Sequence, residues 1–248
     1  MKKISFRDFE LDIELEPFIN IVGSKSSGKT YLLKTLINQN KNNSVYLDDK
    51  KISEYDIDFL RNNIAAVLNN FIFNTSMVKE ELEYYQRVLG YDDKKISNNI
   101  RKFVTFFGLD EILNKPIGEL VRSQKAYVKI LSLLIINPSV LGIDDMLTYL
   151  NNKEKLKIIK YAKEKKISIL NVTSNSEELL FGSRVIILDN FRAVVNEDTL
   201  SVLSSDTMLS KIGMNMPFIA SLSSSLDYYD LLKEKYFDIN SLVGELWK

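Results

Sequence analysis

Gly23-Ser24-Lys25-Ser26-Ser27-Gly28-Lys29-Thr30 sets two glycines, a lysine and a hydroxyl at the spacing G-x-x-x-x-G-K-[ST]. Residues of these types at this spacing wrap the phosphates of a nucleotide. The glycines allow a turn tight enough for successive N–H groups to point inward, and a helix opening directly behind adds its positive end to the same anion. Lys29 is expected to reach the outer phosphates and Thr30 to offer its hydroxyl to Mg²⁺, with Tyr31 next on the helix. Composition alone yields such a match in roughly one chain of this length per hundred, so the flanking elements must decide. They have the required order: Pro17-Phe18-Ile19-Asn20-Ile21-Val22 is an apolar run of strand length, and Tyr31-Leu32-Leu33-Lys34-Thr35-Leu36-Ile37 has helical spacing.

A second acidic site strengthens the case against an ordinary Gly/Ser turn. Val140-Leu141-Gly142-Ile143 reads as a short buried strand running into Asp144-Asp145. Mg²⁺ takes one or two carboxylates together with substrate phosphates. Asp144, at the strand end, is placed to hold the ion, and Asp145 to orient and polarise an attacking water.

These sites need a scaffold, and 248 residues with 45% hydrophobic content supply the core of one α/β domain, with or without an appendage. Formal net charge is zero and the charges are interspersed, which gives no electrostatic footprint for nucleic acid. Cysteine is absent, which excludes disulfides and thiolate metal sites, and so is histidine. No apolar stretch approaches the ~20 residues that span a bilayer, so any membrane role is expected to come through a partner.

In order, residues 1–22 read as short strands, with Leu11-Asp12-Ile13-Glu14-Leu15 alternating at period two. The loop helix runs to about Ile37, residues 38–43 read as a turn, and residues 44–47 and 64–68 as strands. Residues 77 to about 117 have a helical texture, and a further helix runs from Ser123 to Ile136, where Asn137-Pro138 stops it. A basic amphipathic helix over residues 153–165, read as a solvated face, precedes a strand at 168–172. A short helix at 177–181 and a strand at 184–188 turn through Asp189-Asn190 to Ala193-Val194-Val195, and the pattern from Thr199 onward is helical. Strands alternating with helices predict a mainly parallel sheet covered on both faces.

The chain resembles the ATP-binding-cassette ATPases over nearly its whole length, and within them the ATP-binding subunits of energy-coupling factor transporters. The resemblance rests on residues 23–30, on Leu120-Val121-Arg122-Ser123-Gln124 before a helix, on Asn137-Pro138-Ser139-Val140-Leu141-Gly142-Ile143-Asp144-Asp145, and on Asn171-Val172-Thr173-Ser174. The tail, with Gly213-Met214-Asn215-Met216-Pro217-Phe218 and the closing residues 236–248, is similar to the C-terminal extension of those subunits. The resemblance implies an α/β P-loop NTPase fold of the cassette type: a nucleotide-binding domain over residues 1–205, a helical subdomain at about 77–136, an N-terminal antiparallel part, and a helical extension over 206–248. It also implies a head-to-tail cassette pair, with each ATP held between the phosphate loop of one subunit and the signature segment, usually Leu-Ser-Gly-Gly-Gln, of the other.

Against that pattern several positions depart. In the signature segment, Leu120, Ser123 and Gln124 stand beside Val121, which lacks the hydroxyl for the partner's γ-phosphate, and Arg122, which replaces a glycine where backbone approaches closely. Asn69 falls at the metal-contacting glutamine, Asp145 at the catalytic glutamate, and Ser174 at the switch histidine. Met146 and Asn151 replace a proline and an aspartate. Phe6 or Phe9 are candidates for stacking on adenine, and residues 77–117 with Phe71-Ile72-Phe73 for docking on a membrane subunit, Phe71 and Phe73 reading equally as an exposed patch or as core. ATP with Mg²⁺ is expected to bind at Gly28, Lys29, Thr30 and Asp144, while loss of acid–base positioning, worth roughly 10²–10⁴-fold, predicts slow hydrolysis.

The resemblance therefore implies an ATPase at the cytoplasmic face of the cell membrane, driving uptake of a vitamin or metal. Its expected partners are a more orthodox second cassette, a transmembrane coupling subunit and a substrate-binding membrane subunit. The alternative is a non-hydrolysing ATP-binding structural or regulatory subunit of the same kind of complex. A cassette acting on nucleic acid finds no basic stripe or long coiled coil to support it.

Overall fold

A computed structural model describes residues 1–37, 44–205, 207–232 and 234–247. The expected turn at residues 38–43 lies outside the described residues, as do the first and last residues of the expected extension, Asp206 and Lys248. The chain opens with β1 (Lys3–Phe6), β2 (Leu11–Glu14) and β3 (Phe18–Gly23), then α1 (Lys29–Ile37), β4 (Val45–Leu47), β5 (Lys50–Lys51), α2 (Ile57–Asn63) and β6 (Ile64–Val67). Three helices follow: α3 (Val78–Val88), α4 (Asp93–Phe107) and α5 (Arg122–Leu134). The sheet resumes with β7 (Val140–Asp144), α6 (Asn152–Lys165), β8 (Ser168–Val172), β9 (Arg184–Asp189) and β10 (Arg192–Asp198), and the tail holds α7 (Thr199–Ser204), α8 (Phe218–Tyr228) and α9 (Ile239–Leu246).

A four-stranded antiparallel sheet has the order β2-β1-β4-β5, and a six-stranded sheet the order β10-β9-β3-β8-β7-β6. Within the larger sheet every neighbouring pair is parallel except β9 with β10. The sequence explains the difference. Leu11 and Ile13 of β2 are buried while Asp12 and Glu14 are exposed, whereas every residue of β7 and β8 is buried, as a sheet covered on both faces demands. Leu32, Leu33 and Leu36 of α1 pack with Ile4, Ile13 and Ile19 on one face. Ile130, Leu131 and Leu134 of α5 pack with Leu141, Ile143 and Ile169 on the other. Asp144 and Ile21 are both in register with Val172, so β3, β7 and β8 release their following loops at one edge. Ligands of open α/β sheets bind outside such carboxyl ends.

Three expectations are corrected, and one open alternative is resolved. The tail is not one helical run: Gly213, in the left-handed region at φ 72°, and Pro217, just before α8, break it into short helices. Residues Ser176–Phe181 form a 3₁₀ helix. The helix after the signature residues begins at Arg122 and ends at Leu134. Phe71 and Phe73 are partly buried against the core of the helical region, leaving Ile72, 69% exposed, as the residue that faces outward.

Candidate functional site

Gly23 cannot carry a side chain, because a β-carbon there would lie 2.3 Å from the Leu188 carbonyl oxygen. Gly28 adopts φ 99°, a region open to glycine alone at low cost. Ser27 is buried within the loop, while Lys25 and Ser26 are exposed at its crest. Lys29 folds back over this loop, its Nζ donating to the carbonyl oxygens of Gly23 at 2.7 Å and Ser24 at 2.8 Å. Burial lowers its pKa, and the charges of Asp145 and Asp144 oppose that shift. The ammonium is thus held where an anion would meet it, by carbonyls that a phosphate oxygen can replace.

Asp144 closes β7 beside this loop, 3% exposed. The Thr30 hydroxyl and the Asn69 backbone N–H both donate to its carboxylate, so strands β6 and β7 and the head of α1 converge there. Burial raises its pKa and the neighbouring Asp145 charge adds to the rise, against the pull of those donors and of Lys29. A hydroxyl and a carboxylate are the hard oxygen donors that Mg²⁺ takes, the remaining positions going to phosphate and water. Among the described residues there is no cluster of three or more His, Cys, Asp or Glu that could hold a metal ion. Bound at Thr30 and Asp144, Mg²⁺ would neutralise charge on the phosphates.

Asp145 turns away at φ 54°, its N–H donating to the Val172 carbonyl at 2.8 Å. Its carboxylate accepts the Ser174 N–H at 2.9 Å and the Ser174 hydroxyl at 2.9 and 3.1 Å. The residues expected at the catalytic and switch positions are therefore in direct contact, and the carboxylate is engaged by the serine.

The signature residues form a separate surface at the start of α5. Leu120 is buried, Val121 is 61% exposed, and Ser123 and Gln124 are half-buried. The Arg122 guanidinium donates to the Tyr149 hydroxyl at 2.7 Å and lies 4.5 Å from the Tyr149 ring centroid and 5.3 Å from that of Phe71. Arg122 is thus clamped between two aromatic residues, one just after Asn69 and one just after Asp145. The loop bearing Phe71 is itself pinned, because the buried Glu81 accepts the N–H groups of Asn74 at 2.8 Å and Thr75 at 3.1 Å and meets the Lys129 ammonium at 3.5 Å.

Val121 occupies the N-cap of α5 with no acceptor to offer, although the Gln124 side chain accepts the Val121 N–H at 3.1 Å. Val121→Ser completes the reciprocal pair and is expected to raise stability by about 1 kcal/mol, read as a higher urea midpoint at unchanged slope.

Phe6 and Phe9, expected to stack on adenine, are each only 1% exposed and belong to the core below the loop, so neither presents a free face. Two rings that sequence spacing did not single out for this role lie above them: Tyr31, 49% exposed, and Phe191, 47% exposed. With residues 26–30 and Lys34 they line a cavity of about 350 Å³. The one local signal was an aromatic following Asn190, where a tight hairpin favours glycine.

A sequence model of the family described as ABC transporter matches residues 6–148. The energy-coupling factor transporter ATP-binding protein EcfA1 of Mycoplasma pneumoniae is 26% identical over 258 residues, covering 98% of this chain and 90% of that protein. Its namesake in Clostridioides difficile is 26% identical over 229 residues, covering 88% and 82%. Among solved structures, cbiO1 of Clostridium perfringens, described as part of the ABC transporter complex cbiONQ, superposes with a TM-score of 0.71 at 17% identity, over 89% of this chain and 98% of its own. The cassette MJ0796, dimeric and bound to ADP and Pi, gives 0.67 at 19% identity over 80% and 99%. The expected α/β cassette fold, a mainly parallel sheet with an antiparallel β part and helices, is the one these structures share.

Proposed function

The chain belongs to the ABC transporter family, as an ABC-type ATPase, and we propose that it is the ATP-binding subunit of an energy-coupling factor transporter that takes up a vitamin or metal micronutrient. Its relatives carry that subunit name across nearly the full length. Among the described residues no helix is long and apolar enough to cross a membrane, so attachment at the cytoplasmic face falls to a transmembrane coupling subunit and a substrate-binding membrane subunit.

One observation supports the finer reading: Thr30 and Lys29 converge with Asp144 beside the loop, as ATP with Mg²⁺ would require, while the carboxylate of Asp145 is occupied by Ser174. On this reading the site binds nucleotide firmly and hydrolyses it slowly. The partner is a second, more orthodox cassette in a heterodimer, whose ATP meets Leu120, Val121, Arg122, Ser123 and Gln124 of this chain. Closing of the pair by ATP, and reopening by hydrolysis at the orthodox site, drives transport. The same hydrogen bond also favours the alternative, a subunit that clamps its partner with ATP permanently bound.

The test is to purify the chain alone and with the second cassette and membrane subunits, and to measure ATP binding and hydrolysis in each. Binding alone, with turnover appearing only in the complex, is the expected result. Ordinary transporter rates from the isolated chain overturn the heterodimer reading, and absence of turnover in the whole complex selects the clamp.

A further inference from the structure

β9 and β10 are joined by Asn190 and Phe191, both in the left-handed region at φ 45° and 61°. Two-residue hairpins of this kind favour Asn followed by glycine, and a bulky residue in that region is an outlier that its surroundings must hold in place. Here the Phe191 N–H donates to the Ser27 carbonyl at 3.1 Å, which ties the hairpin tip to the phosphate loop. The ring lies so near Gly28 that a β-carbon there would come within 2.8 Å of Phe191 Cδ1.

Phe191 does not complete a core. One side of it covers Phe9, yet nearly half of its own surface is left in water, more than covering a core residue requires. Its centroid is 6.0 Å from that of Phe9 and 5.7 Å from that of Tyr31, the last pair nearly perpendicular at 73°. A strained position, a hydrogen bond to the loop, and exposed rings lining the loop's own cavity are together accounted for by a flat apolar ligand group lying beside the phosphates.

We propose that Phe191 is the base-stacking residue of the nucleotide site, its exposed face receiving the purine of a nucleoside triphosphate and Tyr31 bordering the base. The inference rests on residues 23–30 holding the triphosphate. The base gains a π-face that tolerates any purine, and the hairpin gains a ligand that holds its tip against the loop.

The full chain is titrated calorimetrically with ATP and, separately, with inorganic tripolyphosphate, which carries the charge without a base. Phe191→Gly is expected to weaken ATP about ten-fold and to leave tripolyphosphate unchanged, while Phe191→Trp keeps ATP affinity. Phe191→Gly relieves the backbone, so its melting temperature is expected to match or exceed that of the unaltered chain, and Phe191→Leu repeats the test with an apolar side chain that cannot stack. ATP affinity that is unchanged or improved in the glycine and leucine variants overturns the proposal, as does a parallel fall for both ligands. An unaltered chain that binds tripolyphosphate keeps the loop's role intact even when the stacking role fails. A chain that binds neither ligand overturns both.

Discussion

Turnover at this chain's own phosphate loop is expected to rise by about 10²–10⁴-fold when Asp145→Glu and Ser174→His are introduced together. The carboxylate of Asp145 is engaged by both the N–H and the hydroxyl of Ser174, which holds it turned toward the serine and away from the position of an attacking water. Replacing the serine removes the hydroxyl that engages the carboxylate, a glutamate extends that carboxylate by one methylene toward the loop, and a histidine supplies a donor that can address the phosphate. Groups that act as a unit are not additive, so each single variant is expected to recover far less than the pair. The measurement is single-turnover phosphate release from the assembled cassette pair with the partner's own site disabled. No gain in the double variant would move the deficit from Asp145 and Ser174 to other groups around this chain's own loop, Asn69 first among them.

Glu178→Ala is expected to destabilise the protein by about 3–5 kcal/mol. Glu178 is fully buried in the 3₁₀ helix after Ser174 and accepts the Lys155 ammonium of α6 at 2.8 Å and the Asn171 side-chain amide at 3.0 Å. Asn171 donates also to Asn20 of β3 at 3.0 Å, so the network joins the two strands that carry the phosphate loop and the serine. Truncation strands the Lys155 ammonium in the core near the Phe181 ring. Lys155→Met with Glu178→Leu removes both charges and is expected to recover most of the loss, checked by urea unfolding. Equal destabilisation in the single and double variants would show that packing, not the charge, sets the cost.

The phosphate loop and the strand into Asp144-Asp145 were legible because each is a contiguous run whose residue types are fixed by chemistry. Lys155 was not: a helix with so many lysines reads as solvated, yet Lys155 shares its buried stripe with Ile158, Ile159 and Ala162, a spacing that marks it as an inward-facing charge. α2 escaped notice because it buries Leu60 alone and so displays no period. The two residues of β5 are a strand only through pairing with Tyr46 and Leu47, which no local composition encodes. Phe9 was misplaced because its cover, Tyr31 and Phe191, comes from distant parts of the chain. The bond between Asp145 and Ser174 likewise depends on strand order, not on spacing.

The loop between β6 and α3 touches two places at once: the N–H of Asn69 on Asp144, and the ring of Phe71 against the clamped Arg122. A ligand at Asp144 that shifts this peptide therefore alters the surface around Arg122. Binding couplings are reciprocal, so a partner that engages Arg122 returns the same factor to the affinity for nucleotide. One short peptide thus lets whatever docks at Arg122 sense whether the phosphate loop is filled, and lets it tighten or loosen that grip in return.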